Sequence, residues 1–372
     1  MILSDKVLRN DERAVYKMRE LYRSYGYLQY KVSKFEEYDL YAKNKSFLIS
    51  DKLLTFTDTN GKLMALKPDV TLSIIKNVVA NENDSYKVYY DERVYRTAAG
   101  GDGFREIMQT GLESIGKIDA FAQAEVVMLA MKSLQKISED YLLDISNMSL
   151  LEGLLESACI DTAIMSEFLE LIGSKNIPAI KALCIKYNVN DSDAERICAI
   201  SSMYLPIEKA LCAIKPIISG EKMQSAYDEL YSLYTILSAY GITEKLYVDF
   251  SIVNDMNYYD GIIFKGFVNG IFDSVLSGGR YDRLMEKLGK KTQAIGFAVY
   301  LDTLERFGDE GDGYDVDVLL LYDNDTPASE VIKAAKALGE DGKTVRTANT
   351  LDGSVRYKKL MGFGKDGLCS LE

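Results

Sequence analysis

The sequence predicts an α+β fold in which a large antiparallel sheet is flanked by helices. Three observations lead to this prediction. Residues 86–95 and 104–116 have the patterning of long strands, joined by a glycine-rich loop. Residues 149–241 carry apolar side chains at helical spacing almost throughout, which indicates a helical insertion. Residues 316–348 follow a strand–helix–strand pattern, which is typical of a small α/β segment.

Helices are also predicted on both sides of the long strands, at residues 11–25, 71–79 and 120–137. The first carries apolar side chains at helical spacing and stops at Gly26. Asp119 is a suitable N-cap for the third, because its carboxylate can accept a hydrogen bond from a free backbone N–H group.

A β-hairpin is predicted near the N-terminus. The Asn60-Gly61 pair separates apolar runs at 53–57 and 63–66. Both turn residues tolerate positive φ, which tight hairpin turns require. These runs should therefore pair as antiparallel strands.

The chain should divide into two domains. The composition of GDEGDGYD, at residues 308–315, predicts a linker. We therefore expect a main domain at 1–310, with the helical insertion at about 149–241, and a small α/β domain at 314–372. A segment of about 60 residues is small for an independent core, so we expect it to lean on the main domain or on a partner.

The stretch 248–304 predicts a small-molecule pocket. Its features are, in order, a strand pattern ending near Val253, the adjacent Tyr258 and Tyr259, a second strand pattern at 262–268, the glycines Gly278 and Gly279, and an apolar-periodic segment at 297–307. We expect the two strands to pair as a hairpin, the glycines to form a flat floor, and the last segment to be a helix packed beneath it.

Composition narrows the possible chemistry. The chain has no histidine, which excludes Ser-His-Asp and Cys-His nucleophilic sites and histidine-ligated zinc. The net charge of −12 argues against broad contact with nucleic acid, because phosphates are neutralised by Lys and Arg. We expect no metal and no cofactor.

Cellular location is predicted from the cysteines and the N-terminus. The five cysteines are widely spaced and contain no Cys-x-x-Cys pattern, which favours free thiols in a reducing compartment. The N-terminus is charged, unlike a signal peptide, and no apolar run reaches the roughly 18 residues of a membrane span. We expect a cytoplasmic protein without contact to a membrane.

Six passages, in a fixed order, carry a family resemblance. They are LKPDVT (66–71), RVYR (93–96), FREIMQTGLESIG (104–116), NYYDG (257–261), SGGRYD (277–282) and IGFAVYLDTL (295–304). Over about residues 10–310 the chain resembles the catalytic domain of class II aminoacyl-tRNA synthetases of the histidyl type. Its C-terminal segment resembles a shortened version of their anticodon-binding domain.

The resemblance implies an amino-acid pocket. Its predicted residues are Asp69, Thr71, Arg96, Arg105, Gln109, Glu113, Tyr258, Tyr259, Gly278, Gly279 and Arg280. Chemistry agrees, because an ammonium group prefers carboxylates and an imidazole needs hydrogen-bond partners on a closed wall. The alternative is that Gln109 and Glu113 are merely solvated polar residues on one face of a strand.

The residues that handle ATP in the resembling synthetases are replaced in this chain. By the resemblance, Ala98 stands where a Glu recognises adenine, Asn254 where the catalytic Arg lies, and Thr303 where an Arg contacts the nucleotide. Arg suits the charge that develops on phosphate, and neutral Asn or Thr does not. Loss of a single such donor typically costs about 10²–10³ in rate.

A pocket without ATP chemistry resembles the family of ATP phosphoribosyltransferase regulatory subunits. The resemblance implies a non-catalytic chain that activates a short-form catalytic subunit and helps to confer feedback inhibition by histidine. It also implies a homodimer core inside a hetero-oligomer, with no tRNA bound. A divergent histidyl-tRNA synthetase, or another amino-acid-activating enzyme, is the first alternative. A synthetase-derived scaffold in another assembly is the second.

Overall fold

The computed structural model describes residues 8–43, 53–78, 85–97, 103–253, 259–304, 314–340, 342–351, 353–364 and 367–371. The chain forms two compact units, Met1–Phe307 and Gly308–Glu372. Most of the predicted linker at 308–315 lies outside the described residues.

The strands are, in chain order, β1 (Leu28–Gln29), β2 (Phe35–Glu37), β3 (Thr55–Thr57), β4 (Leu63–Leu66), β5 (Ser85–Thr97), β6 (Phe104–Gly116), β7 (Tyr141–Asn147), β8 (Tyr204–Pro206), β9 (Leu246–Asp249), β10 (Ile262–Val268), β11 (Leu276–Arg280), β12 (Gln293–Tyr300), β13 (Val316–Tyr322), β14 (Val345–Ala348), β15 (Tyr357–Gly364) and β16 (Gly367–Ser370). Nine of them form the central sheet of the first unit, in the order β1-β5-β6-β12-β11-β10-β7-β9-β8. Neighbouring strands are antiparallel except β1/β5 and β7/β9, which are parallel. The predicted α+β class, with a large and mainly antiparallel sheet, is confirmed.

The helices are α1 (Asn10–Ser24), α2 (Tyr38–Ala42), α3 (Thr71–Asn77), α4 (Ala120–Ile137), α5 (Met148–Ser157), α6 (Thr162–Gly173), α7 (Ile177–Lys186), α8 (Asp191–Ser201), α9 (Ile207–Ile214), α10 (Gly220–Ala239), α11 (Asp282–Lys287) and α12 (Ala328–Glu340). Short 3-10 helices occur at Lys215–Ile217, Thr243–Lys245 and Leu301–Leu304. The predicted cap of α4 is present, because Asp119 accepts a hydrogen bond of 2.9 Å from the N–H of Ala122. Helices α5 to α10 make up the insertion between β7 and β9, interrupted by the short strand β8.

The central sheet has two different faces. On the core face, the ring of Phe297 contacts those of Tyr22 in α1 and Phe264 in β10, at centroid distances of 6.0 and 6.3 Å. Helix α4 packs on the same face, where Leu134 lies over Gly266. Alternate residues of each strand point to the opposite face. We call that opposite face the site face.

Two local predictions in the stretch 248–304 are wrong. Strands β9 and β10 do not form a hairpin, because β7 lies between them and pairs with both. The segment predicted as a helix at 297–307 begins instead with the end of β12, between β6 and β11 in the sheet. A strand that is apolar on both faces carries a continuous apolar run, which periodicity alone does not distinguish from a buried helix.

The predicted N-terminal hairpin is confirmed. Strands β3 and β4 pair antiparallel, and Gly61 in their turn has a φ of +80°. Strand β2 pairs with the other edge of β4 and completes a three-stranded sheet. The chain leaves this small sheet at Leu66 and reaches the start of α3 four residues later, which brings residues 67–71 to the site described below.

The second unit contains a four-stranded sheet in the order β14-β13-β15-β16. Strand β13 is parallel to both β14 and β15, and α12 connects β13 to β14, as the strand–helix–strand pattern predicts. Strand β16 returns antiparallel to β15. Among the residues that the structure describes, no helix is both long and apolar enough to cross a membrane.

Candidate functional site

Glycines on adjacent strands form the floor of the candidate site. Gly279 of β11 lies opposite Gly296 of β12, and Gly296 lies opposite Glu113 of β6. A Cβ atom on Gly296 would overlap Oε2 of Glu113, and one on Gly279 would lie 2.7 Å from Cδ1 of Tyr259. Only glycine leaves the space that Glu113 and Tyr259 occupy on the site face.

Glu113 lies at the closed end of the site, with 2% of its surface exposed. The hydroxyl of Thr71 donates to Oε1 at 2.6 Å, and the hydroxyl of Tyr281 donates to Oε2 at 2.5 Å. Burial raises the pKa of Glu113 to about 8, although both hydrogen bonds act against this rise and the Asp69 carboxylate adds to it. At neutral pH the Glu113 carboxyl therefore holds a proton most of the time.

Asp69 and Arg96 lie at the more open end, where both side chains are only partly buried. Oδ1 of Asp69 accepts a hydrogen bond of 2.9 Å from the N–H of Leu72 at the start of α3. Burial raises the pKa of Asp69, and the Leu72 N–H and the Arg96 charge oppose that rise. Nε of Arg96 donates to the carbonyl of Pro68 at 2.9 Å, which fixes the guanidinium beside Asp69. This end therefore offers one anion and one cation.

Three tyrosine hydroxyls converge between these two ends. Burial raises the pKa of Tyr259 well above its usual value, and Tyr300 and then Glu113 raise it further. Burial likewise raises the pKa of Tyr90, with contributions from Glu113, Tyr300 and Tyr259. A Cβ atom on Gly111 would lie 2.6 Å from the Tyr90 hydroxyl, so this ring extends over the floor. The phenols are therefore neutral hydrogen-bonding groups on a flat surface.

Gln109 adds an unused hydrogen-bond donor. It lies opposite Tyr300 on the neighbouring strand and has 2% of its surface exposed. Its Nε2 atom has no hydrogen-bond partner within the described part of the protein. A buried donor without a partner is costly, so a ligand acceptor at this point would relieve that cost.

Two predicted pocket residues lie on the core face instead, which corrects their assignment to the pocket. A Cβ atom on Gly278 would meet Phe264 and Phe297, which belong to the core face. The guanidinium of Arg280 lies 2.8 Å from Asp282 and 3.5 Å from Glu229 of α10. Alternation along β11 is the reason, because Gly279 between them faces Glu113.

Next to Arg280, Arg283 joins the sheet to the insertion. Its NH1 and NH2 atoms donate to the two carboxylate oxygens of Glu152 in α5, each at 2.8 Å. Lys222 of α10 lies 2.9 Å from the same carboxylate. Burial alone would raise the pKa of Glu152, but Arg283 and Lys222 outweigh burial and lower it. This ion cluster holds the insertion on the first unit.

The remaining predicted residues are placed as follows. Arg105 is exposed, and its guanidinium lies 3.3 Å from Asp302. The hydroxyl of Thr303 donates to the carbonyl of Tyr300 at 2.6 Å. Ala98, Asn254 and Tyr258 lie outside the described residues.

Tyr90 and Tyr281 belong to the site but were not among the predicted pocket residues. Tyr90 lies opposite Gly111 across the β5–β6 pair. The register of that hairpin, counted from its loop, would have placed Tyr90 above the floor. Tyr281 lies within the SGGRYD motif, yet its contact with Glu113 spans 168 positions and leaves no local signal.

No metal site is visible in the described ranges. No group of three or more cysteine, aspartate or glutamate residues there is arranged to hold an ion. The donors of the site are hydroxyl, amide and carboxyl groups around a glycine floor, which suits a small polar organic ligand.

Comparisons with known proteins give the family. Residues 3–304 match the family described as Histidyl-tRNA synthetase. The ATP phosphoribosyltransferase regulatory subunit of Clostridium kluyveri is 31% identical over 342 residues, which cover 87% of this chain and 85% of that protein. The corresponding subunit of Acetivibrio thermocellus is 28% identical over 360 residues, covering 94% and 86%.

Solved structures show the same fold. An ATP phosphoribosyltransferase regulatory subunit/histidyl-tRNA synthetase from Bacillus halodurans C superposes with a TM-score of 0.76 at 24% identity, over 95% of this chain and 94% of that one. A chain of the ATP phosphoribosyl transferase (HisG:HisZ) complex from Thermotoga maritima gives a TM-score of 0.62 at 20% identity, over 78% and 97%. Together with the relatives above 25% identity and the match over most of its length, these findings establish that the chain belongs to the family of ATP phosphoribosyltransferase regulatory subunits, which have the histidyl-tRNA synthetase fold.

Proposed function

We propose that this chain is the regulatory subunit of an ATP phosphoribosyltransferase in histidine biosynthesis and has no catalytic activity of its own. It activates a short-form catalytic subunit and helps to confer feedback inhibition by histidine. The observation that carries the proposal is a built amino-acid pocket combined with replaced ATP residues. Ala98, Asn254 and Thr303 stand where the resembling synthetases carry Glu, Arg and Arg.

Free histidine is the ligand that we propose for the pocket. Its imidazole fits the closed end, where Glu113, Thr71 and Tyr281 provide hydrogen-bonding groups around the bare floor. Glu113 holds a proton there at neutral pH, so this end can accept a neutral ring without burying a net charge. The ammonium and carboxylate groups of histidine would lie at the other end, near Asp69 and Arg96.

The chain lacks the means to activate this ligand with ATP. The hydroxyl of Thr303 is engaged by the carbonyl of Tyr300, and the nearby Arg105 is paired with Asp302. A neutral hydroxyl does not compensate the negative charge of phosphates as a guanidinium does. An arginine already bound to a carboxylate would have to give up that partner first.

We propose a homodimer core inside a hetero-oligomer with the catalytic subunit. The fold is shared with a chain of the complex from Thermotoga maritima that is described as HisG:HisZ. Helix α1 and the strand after it lie in the region that dimerises class II synthetases by resemblance. The small second unit offers a further surface for assembly.

Regulation through this pocket requires differential binding. Histidine must bind the inhibited and the active assemblies with unequal affinity, because a ligand with equal affinity for two states shifts neither. The coupling is reciprocal, so the catalytic subunit must change the affinity of this chain for histidine by the same factor.

Reconstitution tests the proposal. Phosphoribosyl-ATP formation is measured with the short-form catalytic subunit of the same genome, with and without this chain and with and without histidine. The chain alone should form no product, its addition should raise the rate, and histidine should lower it. An unchanged rate and unchanged histidine sensitivity would contradict the proposal. Clear histidine-dependent ATP–pyrophosphate exchange by the chain alone would favour a divergent synthetase instead.

A matched pair of variants locates the histidine site. Glu113→Gln should raise the histidine concentration needed for half inhibition by about tenfold or more, because a hydrogen bond to a buried acid is lost or reversed. Glu195→Gln makes the same chemical change on the exposed surface of α8 and should leave inhibition unchanged. Equal effects of the two substitutions would place the histidine site elsewhere.

A further inference from the structure

The site face becomes bulkier along β12. Gly296, Ala298 and Tyr300 are alternate residues of this strand and share the site face. The first lies opposite Glu113 and the last lies opposite Gln109 on β6. The side chain therefore grows from hydrogen to methyl to phenol as the strand runs from the closed end to the open end.

The length of the flat part matches a free amino acid. Two residues of a strand advance roughly 6.7 Å, so the floor stays low for roughly 7 Å beyond Gly296 and rises at Tyr300, roughly 13 Å away. From its ring nitrogen to its carboxylate, histidine spans five or six bonds, which is roughly 6–7 Å. The free amino acid fits before Tyr300, and a substituent on its carboxylate would extend to Tyr300.

Tyr300 is held in position by its backbone. Its N–H donates to the carbonyl of Val275 at 2.8 Å, and its carbonyl accepts from the hydroxyl of Thr303 at 2.6 Å. Its hydroxyl is near enough to those of Tyr259 and Tyr90 to raise the pKa of each. The three phenols together close the site beyond the flat floor.

The orientation of the ligand follows from the difference in burial between the two ends. Glu113 is almost completely buried, whereas Asp69 and Arg96 are partly exposed. Charged groups cost less free energy where water still reaches them and where a partner of opposite sign is present. The ring therefore enters first, and the carboxylate points toward Arg96 and Tyr300.

We infer that Tyr300 determines specificity by limiting the ligand to the length of a free α-amino acid and excluding histidine that is extended at its carboxylate. This inference rests on the proposed histidine pocket. It adds a separate claim, which is that a bulky residue on the floor, and not only the loss of charged residues, prevents an aminoacyl derivative from binding.

Two ligands of equal charge test the inference. Histidinamide and histidine N-butylamide differ only in the four carbons attached to the amide, and their dissociation constants are measured by titration calorimetry on the full chain. In the wild type, the butylamide should bind about tenfold more weakly or worse, because the added chain overlaps Tyr300. Tyr300→Ala should bring the two constants within about threefold, and Tyr300→Phe should keep the wild-type ratio because it keeps the ring.

Controls separate the possible failures. Tyr240→Ala removes an exposed tyrosine and should leave the ratio unchanged. Thermal melting checks that each variant folds, and Tyr300→Val, which retains strand propensity, replaces the alanine variant if that does not fold. An equal ratio in the wild type and in Tyr300→Ala, with histidine still bound, overturns the role of Tyr300 alone. Failure of histidine and of both amides to bind any variant overturns the histidine pocket and this inference together.

Discussion

Glu113 and Glu152 are equally buried but have opposite electrostatic environments. Glu113 on the site face is 2% exposed and contacts two hydroxyl groups, and its pKa is raised to about 8. Glu152 in the insertion is 4% exposed and contacts Arg283 and Lys222, and its pKa is lowered. The difference shows that burial alone does not set the charge of a carboxyl group in this protein. The available cations do.

The two arrangements serve different purposes. At Glu152 the negative charge is already neutralised, so the group stabilises the fold and offers nothing to a ligand. At Glu113 the charge is suppressed by burial, and hydroxyl groups leave lone pairs that a ligand can use. An unpaired acid in a closed, glycine-floored site is typical of binding sites rather than of structural ion pairs.

The largest expected effect comes from filling the space beside Glu113. Gly296→Ala should lower the free energy of unfolding by about 3 kcal/mol, because the new methyl group overlaps the Glu113 carboxylate and lies 2.5 Å from the backbone oxygen of Leu112. Urea denaturation measures the loss. Gly339→Ala is the control, because no atom lies within 4 Å of a Cβ there, and alanine in helix α12 should be neutral or stabilising by up to about 1 kcal/mol. A Gly296→Ala protein as stable as the wild type would show that Glu113 does not need the bare floor.

The second effect concerns the ion cluster. Arg283→Met should cost about 2 kcal/mol of unfolding free energy, less than for a fully buried pair, because Lys222 still contacts Glu152 and the Arg283 side chain is partly exposed. Chemical denaturation measures it. The double variant Glu152→Met with Arg283→Met should recover part of the loss, because no buried charge is then left without its partner. A loss below about 0.5 kcal/mol in the single variant would remove the contrast between the two carboxyl groups.

The third effect is the dependence of stability on pH. Between its unfolded pKa of 4.5 and its folded pKa of about 8, Glu113 keeps a proton in the folded chain that the unfolded chain has lost. Its contribution to stability is therefore complete below pH 4.5 and falls as pH rises toward 8, by at most about 1.4 kcal/mol per unit. Glu113→Gln should flatten this part of the unfolding profile.

Glu152 should show the opposite sign. Its folded pKa lies below 4.5, so its contribution is present above that pH and is lost on acidification. Glu152→Gln should therefore change the profile only below about pH 4.5. Unfolding curves from pH 4 to pH 9 compare the two variants. If both substitutions change the same pH range, the contrast between their surroundings is wrong.

Local chemistry in the sequence predicted several elements correctly. The Asn60-Gly61 turn and the Asp119 cap each depend on a few adjacent residues, and both occur as expected. The motifs named Glu113 and Thr71, which the structure joins by a hydrogen bond. These predictions needed no knowledge of which strands are neighbours.

Errors arose where a prediction depended on distant strands. The expected hairpin of β9 and β10 is wrong because β7, from a much earlier part of the chain, lies between them. Gly278 and Arg280 were assigned to the pocket because they flank Gly279, but alternate residues of a strand face opposite sides. Which side becomes the pocket is set by β12, whose strand character depends on burial between β6 and β11.

The position of β12 also fixes the order in which the ribosome can complete the site. Glu113 and its neighbour Gly296 are 183 residues apart in the chain, so β6 emerges long before the strand that covers its edge. At about 5–20 residues per second, this interval is roughly 10–40 s, during which the backbone groups along that edge of β6 have no native partner. Such an edge is open to pairing with other chains. The nascent protein is therefore exposed to misassembly at the strand that later carries Gln109 and Glu113.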